Sequence, residues 1–333
     1  MAVYFFSSDP MEFTPVGGGD DSGDLIASTM TTAYGDPDLV DYRANMDITG
    51  NPWCEHTLDG LKTGTIWMQA YVSQGSQNED NDPLFELMAG ANPVIRLNVD
   101  EVQVYDTAAW SSKGDSNIKP ISNRNQRIAL EVVLHASTGV IRVYKGGVMV
   151  AQYTGLDTIG DNGGSGVDTI RFYKPDGSNG ADVNLSEMVC ANEDIRDMRV
   201  FQKQIDANGT NTDWTGDYAD IDKLGSDDDL SFIESASAGD VETVGFPNLP
   251  AKAASMNVRA VQVSARAREG DTGPTQIQAA VRTGGSNYFG STQALDTAFG
   301  AIDPEIWETN PGTTNPWTQS EIDSLEVGVK SVA

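Results

Sequence analysis

The sequence predicts an all-β protein made of two antiparallel sandwich domains, a larger one followed by a smaller one. With 333 residues, the chain has room for two domains of about 150 residues each. Short apolar runs separated by Gly-containing turns recur along it, whereas the spacing of amphipathic helices is almost absent. Hydrophobic residues make up only 39% and glycines number 34, which is typical of a loop-rich β protein.

The clearest strand pattern lies near the middle of the first domain. Two β-rich runs, 128–134 and 140–144, flank a short loop that ends at Gly139, which predicts a β-hairpin. A third run, 148–153, follows a Gly-Gly turn. Because these loops are too short to hold crossover helices, we expect the three strands to pair consecutively and antiparallel.

Other apolar runs of the same kind extend this set to about nine or ten strands, as in a sandwich. They lie at residues 65–72, 84–88, 94–99, 102–105, 169–173 and 183–190.

This succession of strands resembles the concanavalin and laminin-G type of jelly roll. The similarity is carried by a strand, a Gly turn, a strand that bears Tyr144, a Gly-Gly turn and an apolar strand, closing at residues 185–189. It implies a lectin-like jelly-roll domain over residues 1–200, which begins with an acidic segment.

A polar, turn-rich stretch predicts a linker at residues 201–220 and a second domain at 221–333. In that domain the runs 261–268 and 276–282 both alternate apolar with polar residues, so each is expected to form a strand with one dry face. The loop 268–274 contains Gly and Pro, which predicts that the two runs form a hairpin. The second domain is therefore expected to be a smaller antiparallel β-sandwich.

Positive charge in the second domain is expected to collect on one wet face. Such a face would complement an acidic surface on a neighbouring subunit. The alternative is a solvated face whose arginines balance nearby acidic residues of the same domain. The residues are Arg259, Arg266, Arg268 and Arg282.

The charge balance is strongly acidic, with 49 Asp and Glu against 21 Lys and Arg, a formal net charge of -28. Such a surface repels phosphate backbones and anionic headgroups, so nucleic acid and membranes are excluded as expected partners. No apolar run approaches the 18 or so residues of a membrane span. The first residues lack the basic and apolar regions of a secretory signal, so we expect folding in the cytoplasm where the chain is made.

Several segments resemble virion structural proteins of tailed bacteriophages. This resemblance implies a non-enzymatic particle component on the virion surface, with no catalytic residues and no cofactor. It implies as partners other virion proteins, copies of the chain itself in a homo-oligomer with a trimer favoured, and a host-surface glycan. The segments are residues 186–200, 214–216, 258–268, 280–285 and 317–330.

Three hypotheses for function follow from the two resemblances. The first is a tail-fibre or tail-tip subunit that takes part in assembly and contacts host glycans. The second places the same chain on the head as a capsid decoration or spike. The third is an extracellular carbohydrate-binding protein or a jelly-roll glycoside hydrolase.

One carboxylate pattern is similar to that of jelly-roll glucanases. Glu321, Asp323 and Glu326 form an E-x-D-x-x-E sequence, and retaining glycosidases need two carboxyl groups about 5–5.5 Å apart. However, Thr318 and Glu321 have the spacing of a capping box, which predicts the first turn of a helix. We therefore assign no catalytic residue.

Histidine and cysteine are too scarce for most catalytic and metal sites. His135 follows a strand at a turn, which favours a structural hydrogen bond, and His56 lacks the spaced partners that zinc requires. Cys54 and Cys190 are expected to be free thiols, with a disulfide as the alternative if the first and last jelly-roll strands pair.

The sequence leaves the presence of a metal site unknown. Its acidic turns have the oxygen ligands that calcium prefers, but none has the residue spacing of an EF-hand loop. Solvated turns are the default interpretation and a structural calcium ion is the alternative, at residues 36–38, 79–82, 161–163 and 227–229. A glycan could be contacted by Trp53, Tyr105 and Trp110, although core packing explains these aromatic residues equally well.

Overall fold

A computed structural model of the chain divides into two compact units, Met1–Phe201 (unit 1) and Gln202–Ala333 (unit 2). Both are built almost entirely from antiparallel strands, which confirms the predicted all-β fold class. The structure describes residues 2–7, 14–16, 25–28, 43–46, 53–74, 83–106, 108–119, 126–160, 166–173, 183–201, 203, 205–221 and 231–333.

The strands described in unit 1 are short and follow one another closely. In chain order they are β1 (Val3–Ser7), β2 (Thr14–Val16), β3 (Leu25–Ser28), β4 (Arg43–Met46), β5 (Trp53–Lys62), β6 (Thr65–Gln74), β7 (Pro83–Ala89), β8 (Asn92–Asn98), β9 (Glu101–Asp106), β10 (Ala109–Asp115), β11 (Gln126–Val133), β12 (Gly139–Lys145), β13 (Val148–Leu156), β14 (Val167–Tyr173) and β15 (Val183–Ala191).

These strands form two sheets that enclose one core. Sheet A has the order β13-β12-β11-β6-β15-β4-β3, with β1 also paired to β15, and sheet B has the order β10-β9-β8-β7-β14-β5-β2. Their inner faces contribute side chains to a single apolar cluster, as in a jelly-roll sandwich. Residues from both sheets include Met68, Leu130 and Ile141 on sheet A, and Phe85, Leu97 and Phe172 on sheet B.

The predicted three-strand meander is confirmed. β11 pairs with β12 and β12 pairs with β13, both antiparallel. The tight turn between β12 and β13 is made by Gly146 and Gly147, whose φ angles are +58° and +81°. Two successive left-handed residues twist the chain in the sense that flanking strands require, and glycine adopts this conformation at low cost.

Unit 2 contains one larger sheet, sheet C, with the strand order β16-β17-β25-β20-β21 and β22 added beside β20 in the described ranges. The strands are β16 (Ala207–Thr212), β17 (Val241–Gly245), β18 (Val261–Val263), β19 (Arg266–Ala267), β20 (Gln276–Thr283), β21 (Ser286–Phe289), β22 (Gln293–Ala294), β23 (Gly300–Ala301), β24 (Glu305–Trp307) and β25 (Glu326–Val332).

The core of unit 2 lies between sheet C and two smaller elements. One is the β18/β24 ribbon, and the other is the short helix α1 (Gln319–Asp323). Unit 2 also contains two short 3-10 helices, Tyr218–Asp220 and Ala251–Ser255. No helix in the described ranges combines the length and the apolar character that a membrane span needs. The core side chains are Val263, Ala279, Val281, Trp317, Ile322 and Leu325.

The predicted hairpin between residues 261–268 and 276–282 is wrong. β18 pairs with β24 and β19 with β23, whereas β20 pairs with β25, β21 and β22. The alternation within 276–282 was predicted correctly, because Ile277, Ala279 and Val281 are buried. Alternation identifies a strand and its dry face, but it carries no information on which distant strand will pair with it.

The expected single basic face does not form on one strand pair, because its arginines belong to different ribbons. Arg266 lies on β19, whereas Arg282 lies on β20 with its Nε 3.8 Å from the Glu326 carboxylate. Arg268 stacks over Phe299 at 5.0 Å.

Candidate functional site

A row of polar side chains crosses the outer face of sheet B. Glu86, Arg96 and Arg171 each stand between two apolar residues of a strand, on β7, β8 and β14. Their immediate neighbours along each strand pack into the core. Since successive side chains of a strand point to opposite faces, the three charged groups lie on the face away from the core.

The register of the strands brings these side chains into line. Going across five neighbouring strands, the directly paired residues are Glu55, Arg171, Glu86, Arg96 and Gln103. Directly opposed side chains of neighbouring strands are close enough to interact, so the row is continuous.

Glu86 is the centre of this row and is held by two guanidinium groups. Its side chain is 1% exposed. Arg96 donates from Nε and Nη2 to Glu86 Oε2 at 2.6 and 2.5 Å, and Arg171 donates from Nη1 to Oε1 at 3.2 Å. Arg171 also donates from Nε to Glu55 Oε2 at 2.9 Å. Both oxygens of the buried carboxylate are therefore occupied by protein donors.

Aromatic rings cover one end of the row. Trp110 pairs with Tyr105 across β9 and β10, and their rings meet edge to face at 5.3 Å and 78°. The Arg96 guanidinium lies 4.1 Å from the Trp110 ring centre and 5.5 Å from the Tyr173 ring centre. Arg96 thus lies close to two aromatic rings, an arrangement that fixes its plane and keeps its remaining donors in place.

Tyr173 stays a neutral phenol at physiological pH. Burial, followed by the negative charge of Glu86, raises the pKa of Tyr173, while a hydrogen bond with Arg171 acts in the opposite direction. The outer face of sheet B therefore carries half-buried aromatic rings, two guanidinium groups and Gln103, whose Nε2 donates to Glu101. Groups of these kinds bind polar ligands that have an apolar face.

The histidines lie elsewhere in unit 1. The His56 ring stacks on Phe5 at 4.2 Å with 29° between the planes. His135 Nδ1 accepts hydrogen bonds from the amides of Ser137 at 3.1 Å and Thr138 at 3.0 Å, so it closes the turn before β12. The structural interpretation of His135 is confirmed by these contacts.

Cys190 is a free, fully buried thiol on β15, and burial raises its pKa to about 12. A thiol this far from ionisation is a poor nucleophile and a poor metal ligand at neutral pH. Cys54 and Trp53 lie on β5, and their side chains fall outside the described part of the structure.

The carboxylates of the E-x-D-x-x-E sequence serve the fold of unit 2. The predicted capping box is confirmed, since Thr318 Oγ1 accepts from the Glu321 amide and Glu321 Oε2 accepts from the Thr318 amide at 2.8 Å. Asp323 accepts from the Leu249 amide at 2.7 Å. Glu326 lies on β25 and accepts from the Thr210 amide at 2.7 Å. The three carboxylates therefore face separate backbone partners.

The acidic turns considered for calcium, at residues 36–38, 79–82, 161–163 and 227–229, lie outside the described residues. Within the described ranges, no three His, Cys, Asp or Glu side chains are grouped as a metal site would require.

Of the aromatic residues considered for glycan contact, the structure brings Tyr105 and Trp110 together in the sheet B row. Sequence reasoning missed Glu86, Arg96 and Arg171. The signal that could have identified them is a charged residue between apolar neighbours in a strand. Burying such a charge is costly unless it pairs with an opposite charge.

No protein-family model matches the sequence, and no curated protein matches it. Solved structures similar in fold include an endo-β-1,4-glucuronan lyase from the fungus Trichoderma reesei, with 10% identity, a TM-score of 0.40, and coverage of 58% of this chain and 96% of that chain. The globular domain of T. cruzi calreticulin is 10% identical, with a TM-score of 0.41 and coverage of 58% and 88%. A carbohydrate esterase, vb_24B_21, from the Shiga toxin-encoding bacteriophage phi24B is 11% identical, with a TM-score of 0.36 and coverage of 55% and 90%.

Proposed function

We propose that unit 1 binds carbohydrate on the outer face of sheet B, without covalent chemistry. The observation that carries this proposal is the position of the Arg96 guanidinium close to the rings of both Trp110 and Tyr173, beside Gln103. A sugar ring has an apolar C–H face that packs on an aromatic ring and hydroxyl groups that accept from guanidinium and amide donors. The row offers both kinds of contact on a rigid sheet.

The charges of the row favour an uncharged saccharide. Glu55 and Glu86 supply two negative charges, and Arg96 and Arg171 supply two positive charges, so the formal charges cancel. A neutral ligand keeps this balance, whereas an anionic one would compete with Glu86 for the same guanidinium groups.

The same contacts favour binding over catalysis. A general acid or base must reach the proton that it transfers, but both oxygens of Glu86 are engaged by Arg96 and Arg171. The raised pKa of Tyr173 keeps its hydroxyl protonated at neutral pH, so the phenolate that could act as a general base is scarcely populated.

The test is a glycan array followed by calorimetric titration of the saccharide selected. We expect Trp110→Ala to weaken binding by about tenfold or more, because it removes the stacking surface. The matched control is Phe232→Ala, which removes an aromatic side chain that is 42% exposed in unit 2. Equal affinity for the wild type and Trp110→Ala, or equal losses in both variants, would refute the proposal.

We further propose that the chain is a structural component of a tailed phage particle, in the tail fibre or tail tip, and contacts host-surface glycans through this face. The support is the resemblance of the segments named above, including residues 186–200 and 317–330, to virion proteins of tailed phages. Such a subunit is expected to form a homo-oligomer, with a trimer favoured, since particle components assemble through repeated symmetric interfaces.

Two measurements distinguish a particle subunit from a free carbohydrate-binding protein, and a position on the tail from one on the head. Size-exclusion chromatography with light scattering is expected to show a stable oligomer, whereas a carbohydrate-binding protein outside a particle can use the same face as a monomer. Antibody labelling of virions is expected to mark the tail. Labelling of the head would favour the capsid decoration or spike, and unlabelled virions would contradict the particle role.

A further inference from the structure

Sheet A carries a cavity that is separate from the row on sheet B. It is a cavity of about 550 Å³ lined by residues at the end of β6, at the start of β11 and at the β12–β13 turn. This volume lies within the range of pockets that hold small molecules. The lining residues described are Tyr71, Gln126, Arg127, Lys145 and Gly146.

Two polar atoms of the cavity lining are buried without a hydrogen-bond partner in the part of the chain that the structure describes. Arg127 donates from Nη1 to the Arg196 carbonyl and from Nη2 to the Tyr71 hydroxyl at 2.6 Å. Its Nε has no hydrogen-bond partner among the described residues, and neither has Oε1 of Gln126. A buried donor and a buried acceptor left in this state destabilise the protein, so a ligand that satisfied both would bind favourably.

The described lining of the cavity carries two cationic side chains in a protein of formal net charge -28. Of the described residues that line it, Arg127 and Lys145 are cationic and none is acidic. Burial lowers the pKa of Lys145, and its Nζ donates to the Ile118 carbonyl at 2.7 Å. The desolvated ammonium group and the guanidinium group together favour an anion at this place.

We propose that this cavity binds a small polyhydroxy carboxylate. The carboxylate would accept from Arg127 Nε and from Lys145, and a hydroxyl group of the same ligand would donate to Gln126 Oε1. Inorganic anions without a hydroxyl group, such as chloride and sulfate, supply no donor for Gln126, and an uncharged polyol supplies no charge for the two cations. This inference is independent of the carbohydrate face on sheet B.

The test compares three probe ligands by isothermal titration with the full chain. Gluconate carries both the carboxylate and the hydroxyl groups, sorbitol has the same carbon skeleton without the charge, and hexanoate has the charge without the hydroxyl groups. We expect saturable binding of gluconate, and affinities for sorbitol and hexanoate that are lower by about tenfold or more.

Two variants locate the binding. Lys145→Gln removes a cation and Gln126→Glu adds a carboxylate to the lining, so each is expected to weaken gluconate binding by about tenfold or more. The control, Arg259→Gln, removes one positive charge from an exposed position of unit 2 and is expected to bind as the wild type does. Far-ultraviolet circular dichroism and thermal melting establish that each variant is folded.

Three results would overturn the proposal. They are absence of saturable gluconate binding to the wild type, equal binding of hexanoate or sorbitol, and unchanged gluconate binding in the folded Lys145→Gln or Gln126→Glu variants. The two variants change different lining residues, so the failure of one to fold leaves the other as the test.

Discussion

Glu187 illustrates how single residues hold unit 1 together. It lies fully buried on β15 with a φ angle of +48°, a left-handed conformation that is unfavourable for glutamate. Its carboxylate accepts from Arg199 Nε at 2.7 Å and Nη2 at 2.6 Å, and from the Val200 amide at 3.2 Å. These bonds fasten the segment after β15 to sheet A and compensate the backbone strain.

We predict that Glu187→Ala lowers the free energy of unfolding of unit 1 by about 3–5 kcal/mol, because it leaves the Arg199 guanidinium without its carboxylate. Urea denaturation followed by circular dichroism measures this loss. The control is Asp197→Ala, at an exposed position of the following segment, which is expected to change stability by no more than about 0.5 kcal/mol. Similar losses in the two variants would contradict the account.

A second residue makes the stability of unit 2 depend on pH. Hydrogen bonds from the amide and hydroxyl of Thr318 lower the pKa of Glu321 from its ordinary value of 4.5. A carboxyl whose pKa is lower in the folded state stabilises that state above pH 4.5, and this contribution is lost as the pH falls through the lowered pKa.

Glu321→Gln is therefore expected to reduce the acid-induced loss of stability below pH 4.5. Since the carboxylate is partly exposed, the effect should be less than about 1 kcal/mol. Urea denaturation at a series of pH values measures it. If the free energy of unfolding fell as steeply with decreasing pH in the variant as in the wild type, Glu321 would not contribute to the acid-induced loss of stability.

At the scale of elements, the sequence predicts strands better than it predicts their partners. The β11–β13 meander was predicted because its partners are adjacent in the chain and Gly146 and Gly147 define the turn between β12 and β13. The pairing of β20 with β25 was not predicted, because β25 begins more than 40 residues after β20 ends. The sheet B row depends on five strands in register, which alternation within one strand cannot specify.

The pairing of β17 with β25 supplies an element-scale prediction. A Cβ atom at Gly328 would lie 1.9 Å from the Glu242 carbonyl oxygen, so Gly328→Ala must force the two strands apart. We expect unit 2 to lose about 1–3 kcal/mol of stability, or to fail to fold. Urea denaturation of the full chain measures this change.

Gly245→Ala is the matched control, since a Cβ there would meet Ala207 Cβ at 3.7 Å, an ordinary contact distance. It is expected to retain the stability of the wild type within about 0.5 kcal/mol. If the Gly328→Ala variant were as stable as the Gly245→Ala variant, the claim that β17 and β25 leave no room for a Cβ atom at Gly328 would be wrong.

At the scale of the whole molecule, charge repulsion opposes folding. The formal net charge of -28 lies on a chain with a sequence pI of about 4.1. Salt screens the repulsion between surface charges, with a Debye length of about 10 Å at 0.1 M and about 3 Å at 1 M. We therefore predict that the melting temperature rises as NaCl is added toward about 1 M at neutral pH.

Differential scanning calorimetry over this range of NaCl measures the effect. The control is the same series near pH 4.1, where the net charge is small and the rise should be weaker. A melting temperature that falls with salt at neutral pH would mean that favourable ion pairs outweigh the net repulsion.

The central claim is that the outer face of sheet B binds carbohydrate, and the indole N–H resonance of Trp110 tests it most directly. During a titration with the saccharide selected on the array, observed by NMR of the full chain, this resonance is expected to shift and to saturate with the calorimetric affinity. The resonance of Trp317, which is buried in unit 2, should stay in place. Saturable saccharide binding that leaves the Trp110 resonance unchanged would contradict the account.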